Sequence, residues 1–241
     1  MNSKQPAVIF EDESILVVSK PAGLLSVPDG YDPAVPHLPG VLEPEFGRLW
    51  VVHRLDADTS GIILLARSES AHRRMNEQFE ARQVEKVYHA LVAGLPGWTE
   101  IRVNLPLKVD GDRRHRTLVD PREGKPAATR LKVLERLRAY ALVEARPETG
   151  RTHQIRVHLA SQGFPVTGDT LYGNGEGVYL SRAKTKYKSG RGEERPMVAR
   201  LALHARSLTF IHPSTGSQMT IEAPYPKDFE AALHQLRKAS A

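Results

Sequence analysis

The 241-residue chain has no cysteine, which excludes disulfides and any metal site built on thiolate. That absence fits a cytoplasmic protein. So does the N-terminal stretch MNSKQPAVIFEDES, which carries acids where a secretory leader would be basic and then apolar. No apolar run approaches the roughly 18 residues of a spanning helix, so no membrane segment is expected. Aromatic residues make up only 6% of the chain, too few for a strand-binding surface made of many stacking platforms. HExxH and the glycine-rich phosphate and dinucleotide loops are missing too. Metal-dependent hydrolysis, nucleotide hydrolysis and hydride transfer therefore have no support, and neither a cofactor nor a metal is implied. His153 and His158 do not change this, because residues five apart on a helix lie about 140° apart and share no face.

The chain does carry 40% hydrophobic and 26% charged residues, an ordinary globular composition in a length that suits a single core. Its net charge of +6 favours a polyanionic partner. The excess is clustered. Between Arg182 and Arg195, six basic residues (Arg182, Lys184, Lys186, Lys188, Arg191, Arg195) face only two acids, Glu193 and Glu194. Arg113-Arg114-His115-Arg116 is a second cluster. One such run is ordinarily a solvated loop; two in a modest chain point towards nucleic acid.

Apolar patterning predicts strands at 14–19, 62–65, 84–92, 100–103, 129–137, 140–145, 201–210 and 219–223. Ser68 opens a predicted helix to about Gln83, with Ala71, Met75 and Phe79 as its apolar stripe. Further helices are expected at 152–161, capped by Thr149 or Thr152 and ended by Gly163, and at 229–236. Five prolines between residues 26 and 48 predict a long irregular loop, and 174–197 reads as a basic insertion. Many strands with few helices argue for an α+β fold with a mixed, mainly antiparallel sheet, organised as one domain over 1–241.

The segment VHRLDADTSGIILLAR, from Val52 to Arg67, places Asp56 between a basic pair, His53 and Arg54, and a turn that leads into a buried apolar run. A carboxylate at the edge of a core is costly unless paired. Turn capping is the commoner fate of such residues. Asp58, in D-T-S-G, suits that duty better and leaves Asp56 without one.

HRLDADTSG, together with KPAGLLSVP (20–28), EKVYHA (85–90), TGRTHQIRVH (149–158), GDTLYG (168–173) and LALHA (201–205), resembles the RluA family of RNA pseudouridine synthases. The motifs run in family order over residues 12–228, in the short form without an N-terminal RNA-binding domain. Ser19 before KPAG and Phe164 before Pro165 depart from the usual residues.

The resemblance implies isomerisation of a uridine in structured RNA, ribosomal or transfer, to pseudouridine. It needs no cofactor and no protein partner, and nothing in the sequence demands more than a monomer. By position Asp56 matches the catalytic aspartate, Tyr88 the active-site tyrosine and Arg151 the arginine that pairs with the aspartate. Such a pairing favours the ionised carboxylate, which a nucleophile requires. Without the resemblance, Tyr88 would be read as a core aromatic on a strand.

Arg54, His53, Lys86, Thr149, His153 and Lys20 are the remaining substrate-binding candidates. Arg54 could fill the gap left by an extruded uridine or simply pair with Asp56 or Asp58. Lys86, on the same strand face as Tyr88, could meet a buried acid, a phosphate or only solvent. A non-catalytic RNA-binding protein on the same scaffold is disfavoured by the intact Asp56, Tyr88 and Arg151. A glycosidase would need a second cooperating carboxylate.

Overall fold

The computed structural model describes residues 5–184, 187 and 193–240. In chain order the first elements are β1 (Ala7–Glu11), β2 (Ile15–Lys20), α1 (Leu38–Phe46), β3 (Trp50–Val51), β4 (Ser60–Ala66), α2 (Glu69–Glu80) and β5 (Glu85–Ala93). There follow β6 (Glu100–Asn104), β7 (Leu107–Lys108), β8 (Leu118–Val119), β9 (Ala128–Leu137), β10 (Tyr140–Pro147), α3 (Gln154–Ser161) and α4 (Leu180–Ala183). The chain closes with β11 (Leu203–Ile211), β12 (Gln218–Glu222) and α5 (Lys227–Ser240). No described helix is long and apolar enough to cross a membrane.

Two compact units emerge: Met1–Val87 with His204–Tyr225, and Tyr88–Leu203 with Pro226–Ala241. In the first unit, strands run in the order β1-β2-β4-β11, with β12 beside β11 and β3 beside β4. The pairing is antiparallel except for β4 with β11, where His204 lies opposite Ser60 and Ala205 opposite Gly61. All seven residues of β4 are buried. Its unbroken SGIILLA run leaves no polar side chain to face water, as expected of a strand covered on both faces.

Gly61 is required there. Its φ is +117°, and a Cβ would stand 2.2 Å from the Ala205 carbonyl oxygen. Ser68 caps α2 by accepting from Ala71 N, and the helix lays Ala71 and Met75 onto the core.

The region 26–48 departs from expectation. Its prolines do not prevent a short helix, α1. Pro39 lies in the first turn, where no intrahelical N–H bond is lost, and the His37 ring caps the helix by accepting from Gly40 N. Gly47, at φ 71°, ends it by donating to the Glu43 carbonyl.

The second unit pairs β5-β10-β9-β6, all antiparallel, with β7 and β8 as a separate two-stranded hairpin. Buried Leu131, Val133, Leu142 and Val143 from the sheet and Phe229, Leu233 and Leu236 from α5 are its principal apolar side chains. Gly168, at φ 75°, lets the GDTLYG turn pass so close to Arg200 that a Cβ would sit 2.1 Å from its carbonyl oxygen. The mixed, mostly antiparallel α+β character is as expected. The two-residue strands β3, β7 and β8 are too short to show a period.

Candidate active site

In the first unit, the segment around Asp56 is laced to the KPAGLLS turn. Ser26 Oγ donates to the Leu55 carbonyl at 2.8 Å and accepts from Leu55 N at 3.0 Å. On the other side of Asp56, the Ala57 carbonyl accepts from Gly23 N and from the Lys20 ammonium, both at 2.8 Å. Asp56 itself closes the turn, its carbonyl accepting from Thr59 N at 3.1 Å.

Lys20, expected on the substrate, is fully buried. Its Nζ also donates to the Leu24 carbonyl at 2.6 Å and the Pro21 carbonyl at 3.1 Å. An ammonium has three donors, and three carbonyls meet it. Burying that charge would be costly without such partners. The peptides on both sides of Asp56 are therefore fixed by residues more than two dozen positions earlier.

His53 sits where the edge of β4 passes from one partner to another. β11 pairs with β4 at Ser60 and Gly61, and β3 takes over at Leu65. Between them Leu64 N donates to His53 Nε2 at 3.0 Å, and the ring stacks on Phe79 at 4.8 Å. Burial, and then the neighbouring Lys86 charge, push the imidazole down to about 3, which keeps its accepting nitrogen unprotonated. Lys86 is itself lowered by burial and by Arg82. Arg54 is exposed and has no hydrogen bond or ion pair among the described residues. A cavity of about 550 Å³ in this unit, lined by Arg74, Gln78, His212 and their neighbours, includes none of the predicted site residues.

In the second unit, Tyr88 stands on β5 opposite Ala145 of β10 and is half-buried. The turn that carries Arg151 is organised by Gln154, a residue that sequence reading passed over. Gln154 Oε1 accepts from Thr149 Oγ1 at 2.7 Å and from Arg151 N at 3.0 Å. Its Nε2 donates to the Ala128 carbonyl and to Thr129 Oγ1, each at 2.9 Å. All four hydrogen-bonding positions of the amide are filled, and this also fixes which end is oxygen.

The network runs on into His158. Its Nε2 faces the Leu105 carbonyl and must donate, so Nδ1 accepts from Thr129 Oγ1 at 2.8 Å. Burial lowers this histidine, consistent with the neutral form.

Neither Thr149 nor Thr152 caps α3, contrary to expectation. The cap position belongs to His153, in the left-handed region at φ 56° and with no side-chain cap. Thr149 instead accepts from Ala128 N and donates to Gln154. A non-glycine residue held in that region is strained, which is tolerated where surrounding bonds over-determine it. His153 Nδ1 meets Tyr172 Oη at 2.9 Å. Below the turn Arg156 and Asp169 form a buried two-pronged pair at 2.7 and 2.8 Å. Burial pushes the Asp169 carboxyl up, but Arg156 and the amides of Leu171 and Tyr172 outweigh it and hold it below the usual range. Asp56 thus belongs to the first unit, and Tyr88, Thr149, Arg151 and His153 to the second.

In the basic segment, Arg182 pairs with Glu176, while Lys184 and Arg195 are exposed. Lys186, Lys188 and Arg191 lie outside the described residues.

Residues 14–161 match the family model described as RNA pseudouridylate synthase. The ribosomal large subunit pseudouridine synthase D of Pseudomonas aeruginosa is 39% identical, over 96% of this chain and 72% of its own length.

The chain belongs to the RluA family of RNA pseudouridine synthases.

Within that family, the dual-specificity RNA pseudouridine synthase RluA of Escherichia coli is 38% identical, over 90% of this chain and 92% of its own. Among solved structures, the human RNA pseudouridylate synthase domain containing 4 superposes with a TM-score of 0.73 at 28% identity, covering 96% of this chain and 93% of that one. The chain is accordingly an RNA-modifying isomerase of the pseudouridine synthase class.

Proposed function

We propose that this RluA-family synthase isomerises particular uridines of ribosomal RNA, transfer RNA or both, with Asp56 as the nucleophile, working as a single catalytic domain. The observation that supports the role of Asp56 is the lacing of Leu55 and Ala57 by Ser26, Gly23 and Lys20. A carboxylate carried on so constrained a turn loses little freedom on meeting a substrate, which is how positioning lowers a barrier.

In the reaction the Asp56 carboxylate attacks the nucleoside while the bond from ribose C1′ to uracil N1 breaks. The base turns, its C5 bonds to C1′ as the bond to the Asp56 carboxylate breaks and frees it, and the C5 proton leaves as N1 gains one, so no atom is gained or lost. By its place in the GRTHQ motif Arg151 takes the part of the family's arginine, and Tyr88 stacks on the uracil and relays the proton through its hydroxyl. The target must leave its stack, which costs a few kcal/mol and least in loops. Exposed Arg54 fills the gap that it leaves. The ribosomal name of the Pseudomonas relative and the dual specificity named for the Escherichia relative support the choice of RNA classes.

Asp56→Asn is expected to retain RNA binding and to form no pseudouridine in ribosomal or transfer RNA; normal product from this variant overturns the assignment. Arg54→Ala is expected to slow conversion of folded RNA at least tenfold more than that of an unstructured oligonucleotide, whereas equal losses remove Arg54 from base extrusion.

A further inference from the structure

The β7–β8 hairpin has no role in the chemistry above, yet it is built around unpaired positive charge. Its tip, D-G-D-R-R-H-R, is folded by Asp112. That carboxylate accepts from Arg114 N at 3.0 Å and Arg116 N at 3.1 Å through Oδ1, and from Arg116 Nε at 2.7 Å through Oδ2. Gly111 N closes the loop onto the Arg116 carbonyl at 2.8 Å. Arg116 is neutralised by this arrangement, whereas Arg113 and Arg114 are exposed and have no carboxylate partner among the described residues.

Elsewhere in the same unit arginines are commonly matched. Arg102 and Arg130 share Glu148, Arg146 meets Glu144, and Arg237 meets Glu135. Two adjacent uncompensated guanidiniums on an ordered turn form a concentrated site for oxyanions.

The base of the hairpin is tied to the turn that carries Arg151. Thr117 N donates to Tyr172 Oη at 2.8 Å, and the same hydroxyl meets His153 Nδ1, two residues beyond Arg151. Since Tyr172 Oη accepts from Thr117, its own proton is available to His153. Arg114 Nη2 and Arg116 Nη1 reach the Thr170 and Leu171 carbonyls, each at 3.4 Å. The Tyr172 ring is held in turn beneath the Arg156 guanidinium, 5.1 Å from its centroid.

We propose that Arg113 and Arg114 at the hairpin tip grip phosphates of the RNA substrate, and that Tyr172 sets the position of this grip relative to Arg151. The inference rests on the RNA-modifying role above and names a contact surface for it. Phosphate contacts position a nucleic acid without reading its bases, so the hairpin supplies affinity and register while the choice of uridine is made elsewhere.

The test measures binding and turnover on transcribed large-subunit ribosomal RNA from 50 to 300 mM salt. Arg113→Gln/Arg114→Gln is expected to raise Kd and KM about tenfold at 0.1 M salt, to reduce the slope of log affinity against log salt by about 1.5, and to leave kcat within about twofold. Lys227→Gln/Lys238→Gln, which removes the same charge from α5, should leave that slope unchanged. Tyr172→Phe keeps the ring but not the hydroxyl; it should raise KM without changing the slope, because position and not charge is lost. An unchanged slope in the double arginine variant, or an equal loss in the α5 control, overturns the proposal. If the wild-type chain forms no pseudouridine on any ribosomal or transfer RNA, the functional reading itself fails, and that result is separate from the salt slopes.

Discussion

The Asp56 turn of the first unit and the Arg151 turn of the second solve one problem with opposite chemistry. Each must hold an irregular backbone in one conformation at the edge of a core. At the first, a buried cation, Lys20, gathers three carbonyls. At the second, a neutral amide, Gln154, bridges two donors and two acceptors. A rotating ammonium accepts almost any arrangement of oxygens, and its charge strengthens each bond. An amide is planar and directional, so it fixes geometry more tightly but holds less strongly per bond. The first turn is therefore clamped by charge and the second by stereochemistry.

Breaking each hub should separate these two modes. Lys20→Met, of similar length but without the ammonium, takes the charged donor from the Leu24 and Pro21 carbonyls and leaves that of Ala57 with Gly23 N. It is expected to cost about 3–5 kcal/mol in urea unfolding and to abolish turnover, since Leu24 and Ala57 lose their common anchor. A stability within about 1 kcal/mol of wild type would show that the cation is not what holds the turn.

Gln154→Glu preserves shape and both acceptor bonds but sets a carboxylate oxygen against the Ala128 carbonyl. A loss of about 2–3 kcal/mol is expected, with a fall in kcat that exceeds any rise in KM because Arg151 is displaced. Equal scaling of both parameters would make Gln154 merely structural.

The smallest effect concerns His53, the acceptor that completes the edge of β4. Its folded value of about 3 lies below the 6.5 of the unfolded chain, so the unfolded state takes up the proton first as pH falls. The stability contributed by His53 is whole above about pH 6.5 and is lost progressively towards pH 3, by at most about 1.4 kcal/mol per pH unit. His53→Gln keeps an acceptor for Leu64 N and does not titrate. Its unfolding free energy should be lower at pH 7 but fall less steeply between pH 6.5 and 4.5 than that of the wild type. Parallel pH profiles would exclude His53 as the source of that slope.

Both hubs also show where sequence reading stopped. β4 was legible over 62–65 because a four-residue apolar run after a glycine turn reads as a buried strand. The Ser68 cap was legible because it is set by residues three apart. α1 was not, since five prolines outweighed a short helix that carries two of them, Pro39 in its first turn and Pro44 further along. His153 could not be foreseen as the left-handed cap of α3, because Thr149 and Thr152 are better local formers and only the bonds to Gln154 and Tyr172 override them. Lys20 and Gln154 gave no local sign of burial. Long polar side chains are ordinarily solvated, and their partners here lie as far as 37 and 26 residues away.

Motif order, a property of the linear chain, was enough through its resemblance to the RluA family to place this protein among the RNA pseudouridine synthases and to name Asp56, Tyr88 and Arg151 as candidates. Only the folded chain decided which polar groups became buried anchors, that an arginine-bearing hairpin was tied beside the GRTHQ turn, and that a histidine completed a strand edge. The division has a physical cause. Apolar periodicity and turn chemistry act between neighbours in sequence, whereas a buried donor is satisfied by whatever acceptors the fold brings to it.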